Sequence, residues 1–156
     1  MPQKQLSIEE AKDFITHERV GHLATYDLAN TPYITPLNYI YHQGKIYFHC
    51  AKEGRKLDNI SANSQVCFEV SRINKAVFGT IACQCSTRYT SVLVFGAASI
   101  IEDIPTKVDL LNTFTKLFAD GRSFSPIPAE AASRVTVVEI TIASIHGKCN
   151  VDPEEL

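Results

Sequence analysis

Residues 36–50 read PLNYIYHQGKIYFHC. Two short runs rich in aromatic and β-branched residues flank His42-Gln43-Gly44-Lys45. Such runs favour extended backbone, and a glycine between them supplies the positive φ that a tight hairpin needs. The stretch predicts two antiparallel strands, 33–41 and 45–50, joined by a short loop. Pro36 cannot donate to a ladder, so it marks an edge, a bulge or an irregular strand start. A hairpin of this kind commits the chain to an antiparallel sheet.

The rest of the chain continues that pattern. Strands are expected at 20–26 (VGHLATY), 66–70 (VCFEV), 87–101 and 135–145, with a poorly defined one at 76–83. Gly96 inside the long strand predicts a bend or bulge. Three helices interrupt the strands. Ser7-Ile8-Glu9-Glu10 is a capping box that opens a helix over 8–17, with Ile8, Ala11, Phe14 and Ile15 on one face. A short helix is expected over 56–62, ending at Asn63. Thr106, with Asp109 three residues on, caps another, whose apolar stripe is Leu110, Leu111, Phe114, Leu117 and Phe118 and which Gly121 ends. SFSPIPAEAAS reads as a loop, and HGKCNVDPEEL as a polar tail that frays from Asp152 on. The order predicts a mainly β fold, an antiparallel sheet closed into a barrel with flanking helices, in a single domain over 1–156.

Composition narrows the function classes. With 45% hydrophobic residues in 156, one core can form. Fifteen basic and 17 acidic residues give a net charge of −2, which argues against nucleic acid as a partner. The polar start MPQKQLSIEEAKDF and the lack of a bilayer-length apolar run predict a soluble, cytoplasmic protein with no signal peptide and no membrane partner. Five cysteines, an odd number, argue against a disulfide scaffold. Cys83-Gln84-Cys85 lacks the usual zinc spacing, so no metal site is expected.

The hairpin leads into a basic turn. Lys52, Arg55 and Lys56 surround Gly54 at a helix start, where free N–H groups and the helix dipole favour an anion. Arg adds a planar fork suited to phosphate. A solvated turn with ordinary surface cations is the competing reading. In the preceding strand, Ile46, Phe48 and Cys50 should face the core, and Tyr47 and His49 the other side. A polar ring could rest there; a satisfied surface histidine is the plainer alternative. Asn38 can both donate and accept, which suits a ring edge carrying carbonyl and N–H groups, or a neighbouring loop. Arg88, within the hydroxyl-rich run Ser86 to Ser91, and Lys148, within His146-Gly147-Lys148, are weaker anion contacts. There is no nucleophile elbow, Walker motif or dinucleotide-binding glycine motif, so an enzyme of this sequence would take its chemistry from a cofactor.

Taken in order, GHLAT, PLNYIY, QGKIYFHCAKEGRKLDNI, VCFEV and YTSVLVFG resemble the pyridoxamine 5′-phosphate oxidase-like split-barrel superfamily, and within it the nitroimidazole-resistance branch. The similarity runs from about Gly21 to Gly96 and is most specific over 36–59. It implies a homodimer of six-stranded split barrels with a flavin site at each end of the interface, built from both chains. The cofactor implied is FMN, with FAD the alternative and haem a further one. Carried over, Thr35, Pro36, Leu37 and Asn38 would line the isoalloxazine ring. His49, Cys50 and Ala51 would meet the ring and ribityl chain, with His49 also the candidate catalytic residue. Arg55 and Lys56 would hold the phosphate, with Lys52 a further cofactor-binding candidate. Arg88 and Ser91 are further candidates, and His146 and Lys148 would come from the partner chain. With no Trp in the chain, His146 is the ring left to cover the flavin.

The resemblance implies a flavin-dependent reductase that takes electrons from a nicotinamide donor and passes them to a nitroaromatic or another small oxidised substrate. Two other readings stand beside it: a flavin or haem binder without turnover, with His49 and His146 as candidate iron ligands, and an oxidase of pyridoxamine phosphate.

Overall fold

The computed structural model describes residues 3–152. Eight strands and four helices follow one another as β1 (Gln3–Leu6), α1 (Ile8–His17), β2 (Val20–Tyr26), β3 (Pro32–Asn38), β4 (Ile40–His42), β5 (Lys45–Cys50), α2 (Arg55–Ala62), β6 (Gln65–Val77), β7 (Ser86–Ile101), α3 (Ile104–Phe118), α4 (Ala129–Ser133) and β8 (Thr136–Asn150). All strand pairs are antiparallel, in the order β3-β2-β6-β7-β8-β5-β4, with β1 added to β8.

The two ends of that path are consecutive in the chain. Strands β3 and β4 are separated only by Tyr39, whose N–H donates to the Arg19 carbonyl at 3.2 Å instead of to a strand. The stretch expected as one strand over 33–41 therefore pairs with β2 before Tyr39 and with β5 after it. The sheet curls until its edges are joined covalently but not by a ladder. This is the split barrel that the resemblance implies; the sheet is not closed as the element order alone suggests, and it has eight strand segments in place of six.

Its core lies inside the curl. Leu23, Tyr39, Ile46, Phe48, Phe68, Val70, Val92, Val94, Val138 and Ile140 pack with Phe14 and Ile15 of α1 and Leu57 and Ile60 of α2. A second cluster sits outside, where Leu110, Leu111 and Phe114 of α3 cover Ile40, Tyr47 and Val137. The expected alternation of β5 holds: Ile46 and Phe48 point in, while Tyr47 points out.

The hairpin turn has Gln43 at φ 49° and Gly44 at φ 80°, the double positive φ of a two-residue hairpin loop. The capping box on α1 is present in full. Gly96 marks a register shift between β7 and β8, because a Cβ there would lie 2.2 Å from the Thr141 carbonyl oxygen.

Several boundaries differ from those expected. Strand β6 continues to Val77, and a short 3-10 turn at Ala82–Gln84 replaces the strand expected over 76–83. Helix α3 starts earlier, capped by Asp103, whose carboxylate accepts from Thr106 N–H at 2.9 Å. The loop after it contains the five-residue α4. The polar stretch after Ile145 is strand as far as Asn150, since β1 and β7 both pair with it there. Asp152 is tied to Arg88 and Lys75. The rest of the expected frayed tail, 153–156, lies outside the described residues.

Candidate functional site

Among the described residues, strand β3 pairs only with β2, and residues 48–50 of β5 only with β8. Each strand thus keeps one backbone edge unpaired, and the two strands come within contact of each other across the split. Unpaired N–H and C=O groups in a concave place are ready partners for a flat polar ligand.

The basic turn follows directly from β5. Gly54 caps α2 with φ 142°, a backbone conformation that a side chain would strain, and it gives the first helical turn no side-chain acceptor. Arg55 and Lys56 open the helix. The Arg55 guanidinium lies over the Tyr33 ring, 4.8 Å from its centroid, and makes a long 3.4 Å contact with Asp27.

On the outer side of the split is a cleft of about 340 Å³, lined by Asn38, His49, Phe114, Thr115, Phe118 and Ala119. His49 meets Phe114 edge-on with ring centroids 5.0 Å apart, and Phe118 stacks beyond Phe114 at 6.3 Å. His49 is exposed on β5, and partial desolvation lowers its pKa from the ordinary histidine value. Cys50, half-buried beside it, has its thiol pKa pushed up by burial, with Lys56 opposing that shift weakly.

The ladder of pairs Asn38–Val20, Pro36–His22, His22–Glu69, Glu69–Leu93 and Leu93–His146 defines one continuous outer face. Pro36, Asn38, Ser91, His146 and Lys148 lie on it. Thr35 and Leu37 alternate to the interior, where Leu37 packs on the core. The Thr35 hydroxyl is buried and meets no partner among the described residues. On the outer face the Glu69 carboxylate accepts from Ser91 at 3.4 Å and bonds His22 at 2.9 Å. Phe95 stands edge-on to His146 at 6.1 Å.

The predicted residues thus fall into three groups. Asn38 and His49 meet in the cleft. Arg55 and Lys56 begin α2, with Thr35 and Tyr33 on the neighbouring strand. Ser91, His146 and Lys148 lie on the outer face, away from both in the same chain. Ala51 and Lys52 are exposed, and Lys52 borders a separate depression with Glu102 and Lys107. Arg88 turns toward the C-terminal segment, where Asp152 pairs with it at 2.7 Å. Sequence reasoning assigned Phe114 and Phe118 to an apolar stripe alone, and passed over Tyr33 and Asp27.

A family model described as pyridoxamine 5′-phosphate oxidase matches residues 7–149. The chain belongs to this family. No curated protein matches it. Among solved structures sharing the family fold, a candidate 5-nitroimidazole antibiotic resistance protein from Bacteroides thetaiotaomicron is 24% identical; the alignment covers 96% of this chain and 89% of that one, with a TM-score of 0.81. The flavocytochrome Anf3 from Azotobacter vinelandii is 21% identical over 97% of this chain and 70% of its own, with a TM-score of 0.82. An FAD and haem binding protein from Mycobacterium smegmatis is 17% identical over 98% and 77%, also at 0.82. At these identities the likeness is one of fold, and the ligand has to be argued from the site.

Proposed function

We propose that this pyridoxamine 5′-phosphate oxidase family member is a flavin-binding oxidoreductase that holds FMN in the split and reduces a small nitroaromatic or other oxidised compound. The observation that carries the reading is the alignment of parts. Among the described residues, two unpaired backbone edges come together at the split, and the strand that forms one of them runs into a helix start bearing Arg55 and Lys56.

The residues fit such a group. The uncapped first turn of α2, Arg55 and Lys56 would hold a phosphate. The Thr35 hydroxyl, a buried polar atom without a partner among the described residues, would gain one. Asn38 would meet the polar edge of the ring, and Phe114 and Phe118 would keep water from the cleft. His49 in its neutral form carries one ring N–H that can donate to a substrate oxygen. The flavin, when bound, supplies redox chemistry that none of these side chains has, with a nicotinamide donor as the electron source. The flavin and FAD named for the fold relatives support the cofactor class.

The outer face supports a homodimer. Val20, Ile34, Leu93 and Phe95 are exposed on it beside Ser91, His146 and Lys148. A second copy would cover this apolar area and bring those three residues to its partner's flavin.

The test is the visible spectrum of the purified protein after addition of FMN, compared with the Arg55→Ala/Lys56→Ala double variant. A flavin spectrum that the double variant loses, with its far-UV circular dichroism intact, supports the reading. Equal occupancy in both removes the phosphate assignment, and a Soret band after haem addition would favour the haem-binding alternative, in which neutral His49 is the candidate iron ligand.

A further inference from the structure

A buried polar thread fixes the base of α2 to the barrel. Asn59, 3% exposed, donates through Nδ2 to Thr25 Oγ1 at 2.9 Å, and that hydroxyl donates to the Tyr33 carbonyl at 3.4 Å. The helix and the Tyr33 segment of β3 are therefore held in one frame. Tyr33 in turn presents its ring to the Arg55 guanidinium, 4.8 Å from the centroid.

Arg55 has a second neighbour of a different kind. Asp27 Oδ1 accepts from the N–H groups of Ala29 at 2.9 Å and Thr31 at 2.8 Å, so its carboxylate is fixed by its own turn. Its other oxygen, Oδ2, reaches Arg55 Nη2 at 3.4 Å. The two neighbours use different parts of the guanidinium. A ring beneath the plane leaves the N–H edge free. A carboxylate occupies that edge, and at 3.4 Å it does so weakly.

We propose that Tyr33 is the positioning residue of the phosphate grip: its ring holds the Arg55 plane so that the N–H edge meets a phosphate monoester, and Asp27 is the partner that the phosphate displaces. This inference rests on the flavin reading above. It adds that discrimination for the phosphorylated flavin is set by an aromatic ring that does not itself touch the phosphate.

The experiment is titration of the full chain with FMN and with riboflavin, read by quenching of flavin fluorescence, for the native protein and for Tyr33→Leu, Tyr33→Phe and Asp27→Asn. Riboflavin shares the ring and ribityl chain and lacks the phosphate. Tyr33→Leu should weaken FMN binding roughly three- to tenfold, the range of a cation–π contact, and leave riboflavin unchanged. Tyr33→Phe keeps the ring and should keep FMN affinity. Asp27→Asn frees the edge and should tighten FMN about two- to fivefold, with riboflavin unchanged.

Equal loss of FMN and riboflavin in Tyr33→Leu would mean that Tyr33 merely supports the fold, and would overturn the proposal. So would a loss in Tyr33→Phe equal to that in Tyr33→Leu, or unchanged FMN affinity in Tyr33→Leu. A native protein with no preference for FMN over riboflavin would remove the phosphate site itself, and Tyr33's role with it. That failure shows in the native chain, whereas failure of the positioning role shows only in the variants.

Discussion

The hydroxyl of Tyr39 donates to the main-chain carbonyl of Ile15 at 2.7 Å, tying the point where strand pairing switches to the last turn of α1. The carbonyls of a helix's last turn lack helical partners, and this one finds its donor across the fold. Burial also raises the Tyr39 pKa well above the ordinary tyrosine value, keeping the donor protonated. Tyr39→Phe should therefore cost about 1–2 kcal/mol, the value of a buried hydrogen bond whose acceptor is left unmet. Urea denaturation checks this; a midpoint equal to that of the native chain would show that the bond contributes nothing.

Gly96 gives a second stability prediction. A methyl group there would stand 2.2 Å from the Thr141 carbonyl oxygen and 3.2 Å from Ile140. The obstacle is backbone in a paired strand, so it cannot rotate away. Gly96→Ala should destabilise the protein by about 1–3 kcal/mol, as overpacking does elsewhere. Thermal unfolding monitored by circular dichroism would show the loss; an unshifted transition would mean that the β7–β8 bulge can move.

Gly96 and the HQGK turn show what was legible before the structure. Both are local features: a missing side chain where strands approach, and positive φ where a hairpin reverses. The break at Tyr39 was not legible, because nothing in LNYIY differs from a continuous strand. It arises from partners far off in the chain, the carbonyls of Ile15 and Arg19. Strand β1 was hidden for the same reason, since QKQL has no apolar alternation and is strand only through its pairing with β8. The basic turn could be read as a site because helix start, glycine and cations are adjacent in sequence. The cleft wall could not, because Phe114 and Phe118 come from a helix more than 60 positions after His49.

Thr35 should report the cofactor through opposing effects. Its buried hydroxyl meets no partner among the described residues, so in the flavin-free chain it is a desolvated polar group without compensation. Thr35→Val keeps the shape and removes the hydroxyl. The flavin-free variant should be as stable as the native chain or up to about 1 kcal/mol more so. Its FMN affinity should fall by about fivefold, the loss of roughly one hydrogen bond. Denaturation curves with and without FMN measure both. A variant destabilised in the absence of flavin would show that the hydroxyl already has a partner, such as a water.

His49 should titrate below the ordinary histidine range. Partial desolvation is the cause: the ring, although exposed, meets Phe114 edge-on, with Phe118 stacked beyond it. Phe118 is 40% exposed, so Phe118→Ala opens the cleft with little loss of core. In that variant the His49 midpoint, followed by the imidazole Cε1–H resonance, should rise toward about 6.5. The sign of the stability effect follows from the same shift. With the folded-state pKa depressed, the unfolded chain takes up the proton first as pH falls, so this residue's contribution is complete above the unfolded pKa and is lost as pH drops through it toward the folded value. Phe118→Ala should flatten that acid-side loss. A native His49 already titrating at the ordinary value would mean that the contact with Phe114 does not desolvate the imidazole.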